Sequence, residues 1–306
     1  MLSLIWGTTW LGVKIGVEDL PPFTFAGLRF GISATALAAL MWWRGCWLPA
    51  SRAQWKLVLW LGLLQIGLPF ALTFWAAQYI TSSLTAILFS AHPLFVIMLA
   101  HLFVPGEPMT LRRLAAALCG ASGIVAIFSQ QLSFGRDSVA GSLAMVGAAL
   151  CGALANIIAK RNVQRLDAVT NTTWQMLVGA VFLFALAALI EEPTAIRWTM
   201  RAVLALLYLS LIGSATAFVL FYWLIKRVEV TFASFIPIAN TLVATILGWL
   251  VLGEVLGVHT LIGGALILLG VVLASLSHHR PAASPREIVA QTHKEACKSV
   301  THAVRE

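Results

Sequence analysis

Two cations, Lys14 and Arg29, fall inside long apolar runs of the chain, TTWLGVKIGV and LRFGISATALAALMWW. A Lys or Arg held at the centre of a membrane helix costs about 2.5–3.5 kcal/mol on insertion scales, so each needs a partner or a task. Lys14 lies near the outer end of its run, and either snorkels to the headgroups or stands on a substrate path. Arg29 lies about two turns inside the second run. It either pairs with Glu18 or Asp19, or binds an anionic group of a cargo. Trp6, Trp10 and Lys14 are spaced i, i+4 and i+8, which puts them on one helix face. Turned to lipid, that stripe is an apolar flank with an interfacial anchor. Turned inward, it offers stacking and cation–π surface to a substrate.

Polar side chains recur at similar depth in other apolar runs: Gln65, Ser90 and His92, Ser214 and Thr216, Asn240 and Thr241. Interhelical hydrogen bonds in bilayers average only about 0.6 kcal/mol, so stability alone gives little reason for so many. They read either as polar glue between helices or as the wall of a central cavity. Asn156, Gln175, Trp75, Trp174, Tyr222 and Trp223 are further candidates for that wall. Trp42, Trp43, Trp47 and Trp55 sit beside basic residues at a run end and fit an interfacial belt.

The chemistry of catalysis is thinly represented. The 12 acidic residues all fall in loops, junctions or the tail. No carboxylate is therefore available at mid-depth as a proton relay. Glu107 and Glu254 each follow a glycine at a helix junction, and are expected to charge the N-terminus of the next helix rather than couple protons. His92 could titrate, so proton exchange and facilitated flow both stay open. Asp19, Asp137 and Asp167 are solitary, unlike the paired groups that a membrane-embedded transferase needs. Cys46, Cys119, Cys151 and Cys297 are scattered, with no C-x-x-C pair, so neither a disulfide framework, a metal site nor a bound cofactor is expected.

These residues must be positioned by elements that live in lipid. Of 306 residues, 60% are hydrophobic and 10% charged, against roughly 25% charged in a soluble domain. Apolar runs near 1–17, 22–43, 56–77, 84–104, 111–130, 139–160, 169–190, 202–225, 231–252 and 258–277 predict ten transmembrane helices. The net charge of +8 is strung between these runs, not gathered on one face, which argues against a nucleic-acid partner. Alternate loops hold Arg44, Arg52, Lys56, Arg112, Arg113, Lys160, Arg161, Arg165, Lys226 and Arg227, against Arg136, Arg197 and Arg201 in the others. Cations of short loops stay on the cytoplasmic side, so both termini are expected there, in the cytoplasmic membrane. The first run lacks the basic start and small-residue site of a cleaved leader and reads as a span. Residues 278–306 read as a basic, mostly disordered tail.

Laid on itself at an offset of 147, the chain sets LFSAHPLFVIMLAHLFVPGEP (88–108) on FIPIANTLVATILGWLVLGEV (235–255). Phe74 meets Phe221, Leu114 meets Leu261 and Gly123 meets Gly270. Matches fall in the order of the spans, five per copy. An odd number of spans inverts the second copy, so residues 1–130 and 131–277 are expected as two inverted five-helix repeats. Such repeats build transporters with a site where the halves meet.

The opening, IWGTTWLGVKIGVEDLPPFTFAGLRF, and the Pro93 to Glu107 and Asn240 to Glu254 segments resemble the EamA-type branch of the drug/metabolite transporter superfamily. The resemblance covers residues 1 to about 277 and omits the tail. One departure is plain: Asn240 stands where the first copy has Pro93, with Pro237 three residues earlier. A proline-softened helix is therefore expected in the fourth span only. The resemblance implies secondary transport, usually export, of small metabolites or amino acids, with no enzyme activity and no single substrate. A nucleotide-sugar carrier of the same superfamily and a lipid-linked transferase are the alternatives. Oligomeric state is left open.

Overall fold

The computed structural model describes residues 1–44, 51–103, 109–162, 168–192, 196–225 and 236–276. All elements among them are helical: α1 (Leu2–Val17), α2 (Pro22–Arg44), α3 (Arg52–Leu61), α4 (Leu68–Ala76), α5 (Ser82–Phe89), α6 (His92–Phe103) and α7 (Leu111–Phe134). The chain continues with α8 (Arg136–Asn162), α9 (Ala168–Ile190), α10 (Met200–Leu207), α11 (Ala217–Ile225), α12 (Ile236–Leu252) and α13 (Val258–Leu276). Two π-helical stretches, Gly62–Gly67 and Tyr208–Thr216, join α3 to α4 and α10 to α11. Among the described residues, 8 runs are long and apolar enough to cross a membrane, and Leu2–Val17 and Ala239–Leu252 are shorter apolar helices.

Three spans depart from regular helix, and local chemistry accounts for where. Pro93 has no N–H, and its ring would strike the carbonyl of Phe89 in a continuous helix. The fourth span accordingly breaks between Phe89 and His92. Pro237 is the second residue of α12, where a missing N–H leaves no bond unmade, and that helix runs unbroken to Leu252. Pro69 likewise withholds an N–H from the Gln65 carbonyl, at the end of the first π stretch. The second π stretch has no proline. There the Ser210 hydroxyl donates to the Leu206 carbonyl at 2.7 Å, and Thr216 to that of Leu211 at 2.7 Å.

The principal packed pairs are α1 with α12, α2 with α9, α4 with α8, and α7 with α13. In the last pair Gly123 faces the Gly263 carbonyl so closely that an added Cβ would lie 2.5 Å from its oxygen. The core is aromatic, with Phe25, Phe30 and Phe74 fully enclosed. The outside is also apolar: Leu118, Val125, Val181 and Leu250 are each more than half exposed. Such a surface suits hydrocarbon, where an all-helical chain satisfies its own backbone groups.

One end of the bundle is tied by polar clamps between helices that are distant in sequence. Asp19 receives Arg201 Nε at 2.7 Å, Arg201 Nη2 at 3.1 Å and the Thr199 hydroxyl at 2.6 Å. Those bonds hold its carboxyl well below the usual range, at about 2. Glu18 also meets Arg201, at 3.2 Å. Neither acid therefore serves Arg29. Glu191 accepts from Phe23 N (2.5 Å), Thr24 N (2.8 Å) and the Thr24 hydroxyl (2.7 Å) at the start of α2. Glu254 does the same for α5, accepting from Ser82 N (2.6 Å), Ser83 N (2.9 Å) and the Ser83 hydroxyl (2.5 Å). Gly253, with φ of 64°, turns the chain so that this carboxylate reaches α5. The expectation that Glu254 charges the next helix is thus corrected: it caps α5, from the end of α12. Glu107 and Trp47 lie outside the described residues.

Candidate substrate-binding cavity

A cavity of about 420 Å³ lies inside the bundle, near the lower end of the usual range for ligand sites, about 300–1,000 Å³. Its wall comes from the middle of α1, the first half of α11, the start of α12, the end of α13, and the middles of the other spans around it. Trp6, Trp10, Arg29, Gln65, Ser90, His92, Asn156, Asn240 and Thr241 line it together. The helix irregularities deliver several of them: Ser90 and His92 flank the break before Pro93, and Gln65 lies in the first π stretch.

Hydrogen bonds fix this wall. Trp10 Nε1 donates to Asn240 Oδ1 at 3.0 Å, joining α1 to α12. Asn156 Nδ2 and His92 Nε2 stand 3.2 Å apart, joining α8 to α6. Aromatic contacts stiffen it further. Trp6 packs on Phe218 and Phe221 at 5.9 and 5.3 Å between ring centroids, and Trp10 on Phe89 at 5.4 Å. Phe89 stacks in turn on His92 at 5.7 Å.

Arg29 is 2% exposed and, among the described residues, is the one charged residue in the wall, with no carboxylate beside it there. Its Nε donates to Ser214 Oγ at 2.8 Å. Its guanidinium carbon lies 5.1 Å from the centroid of Phe30, 5.0 Å from that of Phe70 and 5.8 Å from that of Phe74. Aromatic faces attract a cation by about 0.5–1 kcal/mol at exposed sites and about 2 kcal/mol when desolvated, which offsets part of its insertion cost. A guanidinium has five N–H donors. Here Nε alone finds a hydrogen-bond acceptor among the described residues, and both Nη groups stay available.

The remaining candidates lie elsewhere. Lys14 continues the Trp6–Trp10 stripe past the cavity, and its Nζ donates to the carbonyls of Ala77 (2.7 Å) and Ile80 (3.0 Å) at the end of α4. It is not among the residues of the wall. Trp75 packs on Tyr79 at 4.9 Å and Trp174 on Trp55 at 4.8 Å. Gln175 is buried in α9, away from the wall. Thr216 is spent on its own helix. The side chains of Tyr222 and Trp223 lie outside the described residues. Ser214 acts from behind the wall, by holding Arg29. Sequence reasoning missed Thr9, Phe70, Phe89, Phe218 and Phe221, all cavity residues. Thr9 and Phe89 lie beside singled-out neighbours, but phenylalanines in an apolar run carry no mark that separates wall from core.

Comparison with known proteins gives a consistent result. The sequence profile of the EamA-like transporter family matches residues 1–129 and 139–276. "Uncharacterized transporter YoaV" of Bacillus subtilis is 28% identical over 91% of this chain and 96% of its own length. "Uncharacterized inner membrane transporter YedA" of Escherichia coli is 27% identical over 93% and 91%. "Protein PagO" of Salmonella typhimurium is 24% identical over 93% of each. A crystal structure 24% identical to this chain has the same fold, with a TM-score of 0.64 over 91% of this chain and 96% of that one.

Proposed function

Because this chain belongs to the EamA-like transporter family, we propose that it is a secondary carrier that exports a small metabolite by opening the central cavity alternately to either side. The observation that carries this reading is the cavity itself. It is a largely apolar space into which a few polar side chains converge (Arg29, Gln65, His92, Asn156 and Asn240), walled by residues of both stretches matched by the family profile. Carriers of inverted-repeat architecture hold their site where the halves meet.

Ten spans in two inverted copies are supported by how the helices pair. Shifting every span by five turns α1–α12 into α8–α6, α4–α8 into α11–α1, and the pairing of the first π stretch with α8 into that of the second with α1. The pairs α2–α9 and α7–α13 map onto themselves, and all of these contacts occur. Individual bonds follow suit: Trp10 to Asn240 has its counterpart in Asn156 to His92, within one residue of the 147 offset. The two π stretches also coincide at that offset.

With the termini in the cytoplasm, as the loop cations argue, the clamped end of the bundle faces outward. The cavity then sits in the half nearer the cytoplasm, behind an outer closure made by Glu254, Glu191 and the Asp19–Arg201 pair. Opening to the outside requires parting some of these clamps, and closing inward requires the starts of α1 and α12 to meet the ends of α11 and α13.

The test is flux in proteoliposomes, with a panel of amino acids, carboxylates, sugars and organic cations, for the native protein and for Ser90→Trp, which fills the cavity. Saturable flux that the substitution abolishes supports the carrier. Flux indifferent to a filled cavity overturns it.

A further inference from the structure

Resting on the carrier reading, we infer that the cargo is a small organic anion, a monocarboxylate with an apolar or aromatic body, whose carboxylate docks on the Nη groups of Arg29. The inference starts from an imbalance of charge. Arg29 is buried in the wall with one hydrogen bond, to Ser214, and with both Nη groups lacking an acceptor among the described residues. Phe30, Phe70 and Phe74 surround the guanidinium but present no acceptor oxygen. A guanidinium so placed matches a carboxylate by two parallel N–H···O bonds.

The rest of the wall selects the remainder of the molecule. Among the described residues no carboxylate lines the cavity, so an ammonium would find no counter-charge from them and would be repelled by Arg29. The amide oxygens of the wall, such as Asn240 Oδ1, which already accepts from Trp10 Nε1, are neutral acceptors and do not offset that repulsion. Trp6, Trp10, Phe89 and Phe218 instead give flat apolar surface for a body of modest size. One guanidinium is also too little for a diphosphate. The preferred order is therefore monoanion, then neutral analogue or zwitterion, then cation.

The experiment uses the purified full chain and four compounds with one skeleton: 3-phenylpropionate, 3-phenylpropan-1-ol, phenylalanine and 3-phenylpropylammonium. Radiolabelled 3-phenylpropionate is bound in equilibrium dialysis and displaced by each of the others. Saturable binding is expected, with the alcohol and the zwitterion at least roughly tenfold weaker and the ammonium weaker still. Arg29→Gln should lose roughly tenfold or more in affinity, and Arg29→Lys, which keeps the charge but not the fork, should lose less. Ser214→Ala, which frees Arg29 without removing it, should weaken binding by a few-fold. An alcohol or ammonium that competes as well as the anion overturns the inference on native protein alone, whether or not the Arg29 variants fold. So does a folded Arg29→Gln protein with undiminished affinity. The same labelled compound is then followed into proteoliposomes. Selective binding without flux removes the carrier reading and leaves the ligand class standing. Flux of the ammonium without binding of the anion does the reverse.

Discussion

Replacing Glu254 by Gln tests the outer closure. This carboxylate accepts Ser82 N at 2.6 Å on one oxygen, and Ser83 N at 2.9 Å and the Ser83 hydroxyl at 2.5 Å on the other. Glutamine keeps the length but turns one acceptor into a donor. If its oxygen serves Ser83, its NH₂ faces the Ser82 N–H. Bonds to a charged group contribute about 1.5–3 kcal/mol and neutral ones about 0.5–1.5. The clamp is only half-buried, so the lower ends apply. Losing one charged bond at about 1.5 kcal/mol and weakening the other two by about 1 kcal/mol each costs roughly 3.5 kcal/mol in all. At about 1.4 kcal/mol per tenfold, the first turn of α5 then opens about three-hundredfold more often. Hydrogen exchange of the Ser82 and Ser83 amides reads this directly under conditions where exchange follows the opening equilibrium. The first amides of α2, Phe23 and Thr24, are held by Glu191 in the same geometry and serve as the internal control. The expected result is faster exchange in α5 and none in α2. Unchanged exchange in α5, or an equal rise in both helices, refutes an α5 clamp that depends on Glu254.

Other outcomes follow from single contacts. Gly123→Ala places a Cβ 2.5 Å from the Gly263 oxygen; parting α7 from α13 should cost about 1–3 kcal/mol, read as a lower thermal midpoint in detergent. The Asp19 carboxyl is held at about 2 by Arg201 and Thr199. Its stabilising effect is full above the unfolded value, about 3.9, and is lost as pH falls towards 2. Thermal midpoints between pH 5 and 2.5 should therefore fall more steeply for the native protein than for Asp19→Asn. Asn240→Ala and His92→Ala each remove one cross-cavity bond, and should lower flux by roughly two- to tenfold while insertion, judged by membrane yield, is kept.

Much of the fold was legible because lipid imposes one rule on every span. The apolar runs, their proline and glycine punctuation, and the break expected at Pro93 all follow from backbone groups that must find partners without water. The π stretches were not legible. Pro69 marks the end of one, but the other depends on where Ser210 and Thr216 aim their hydroxyls, which spacing does not specify. For the cavity, Trp6 and Trp10, joined by their i, i+4 spacing, both line it, as do Gln65, Ser90, His92, Asn240 and Thr241 of the set grouped by depth, whereas Ser214 and Thr216 of that set do not. Periodicity gives a face, however, and not how far along the face a neighbour ends. Lys14 shares the face of Trp6 and Trp10 yet meets the end of α4 in place of the cavity. Arg29 looked satisfiable by Glu18 or Asp19, the nearest acids in sequence. Arg201, 182 positions from Asp19, takes both, and that long-range competition leaves Arg29 to the cavity.

Thr9 lines the cavity and is buried, so a cysteine there reports which side has access. With Cys46, Cys119, Cys151 and Cys297 replaced, Thr9→Cys can be challenged with a membrane-impermeant thiol reagent from either face of oriented vesicles, with and without a transported compound. Alternating access predicts reaction from both faces, with the balance shifted by the transported compound. Reaction from one face only, under every condition, contradicts it.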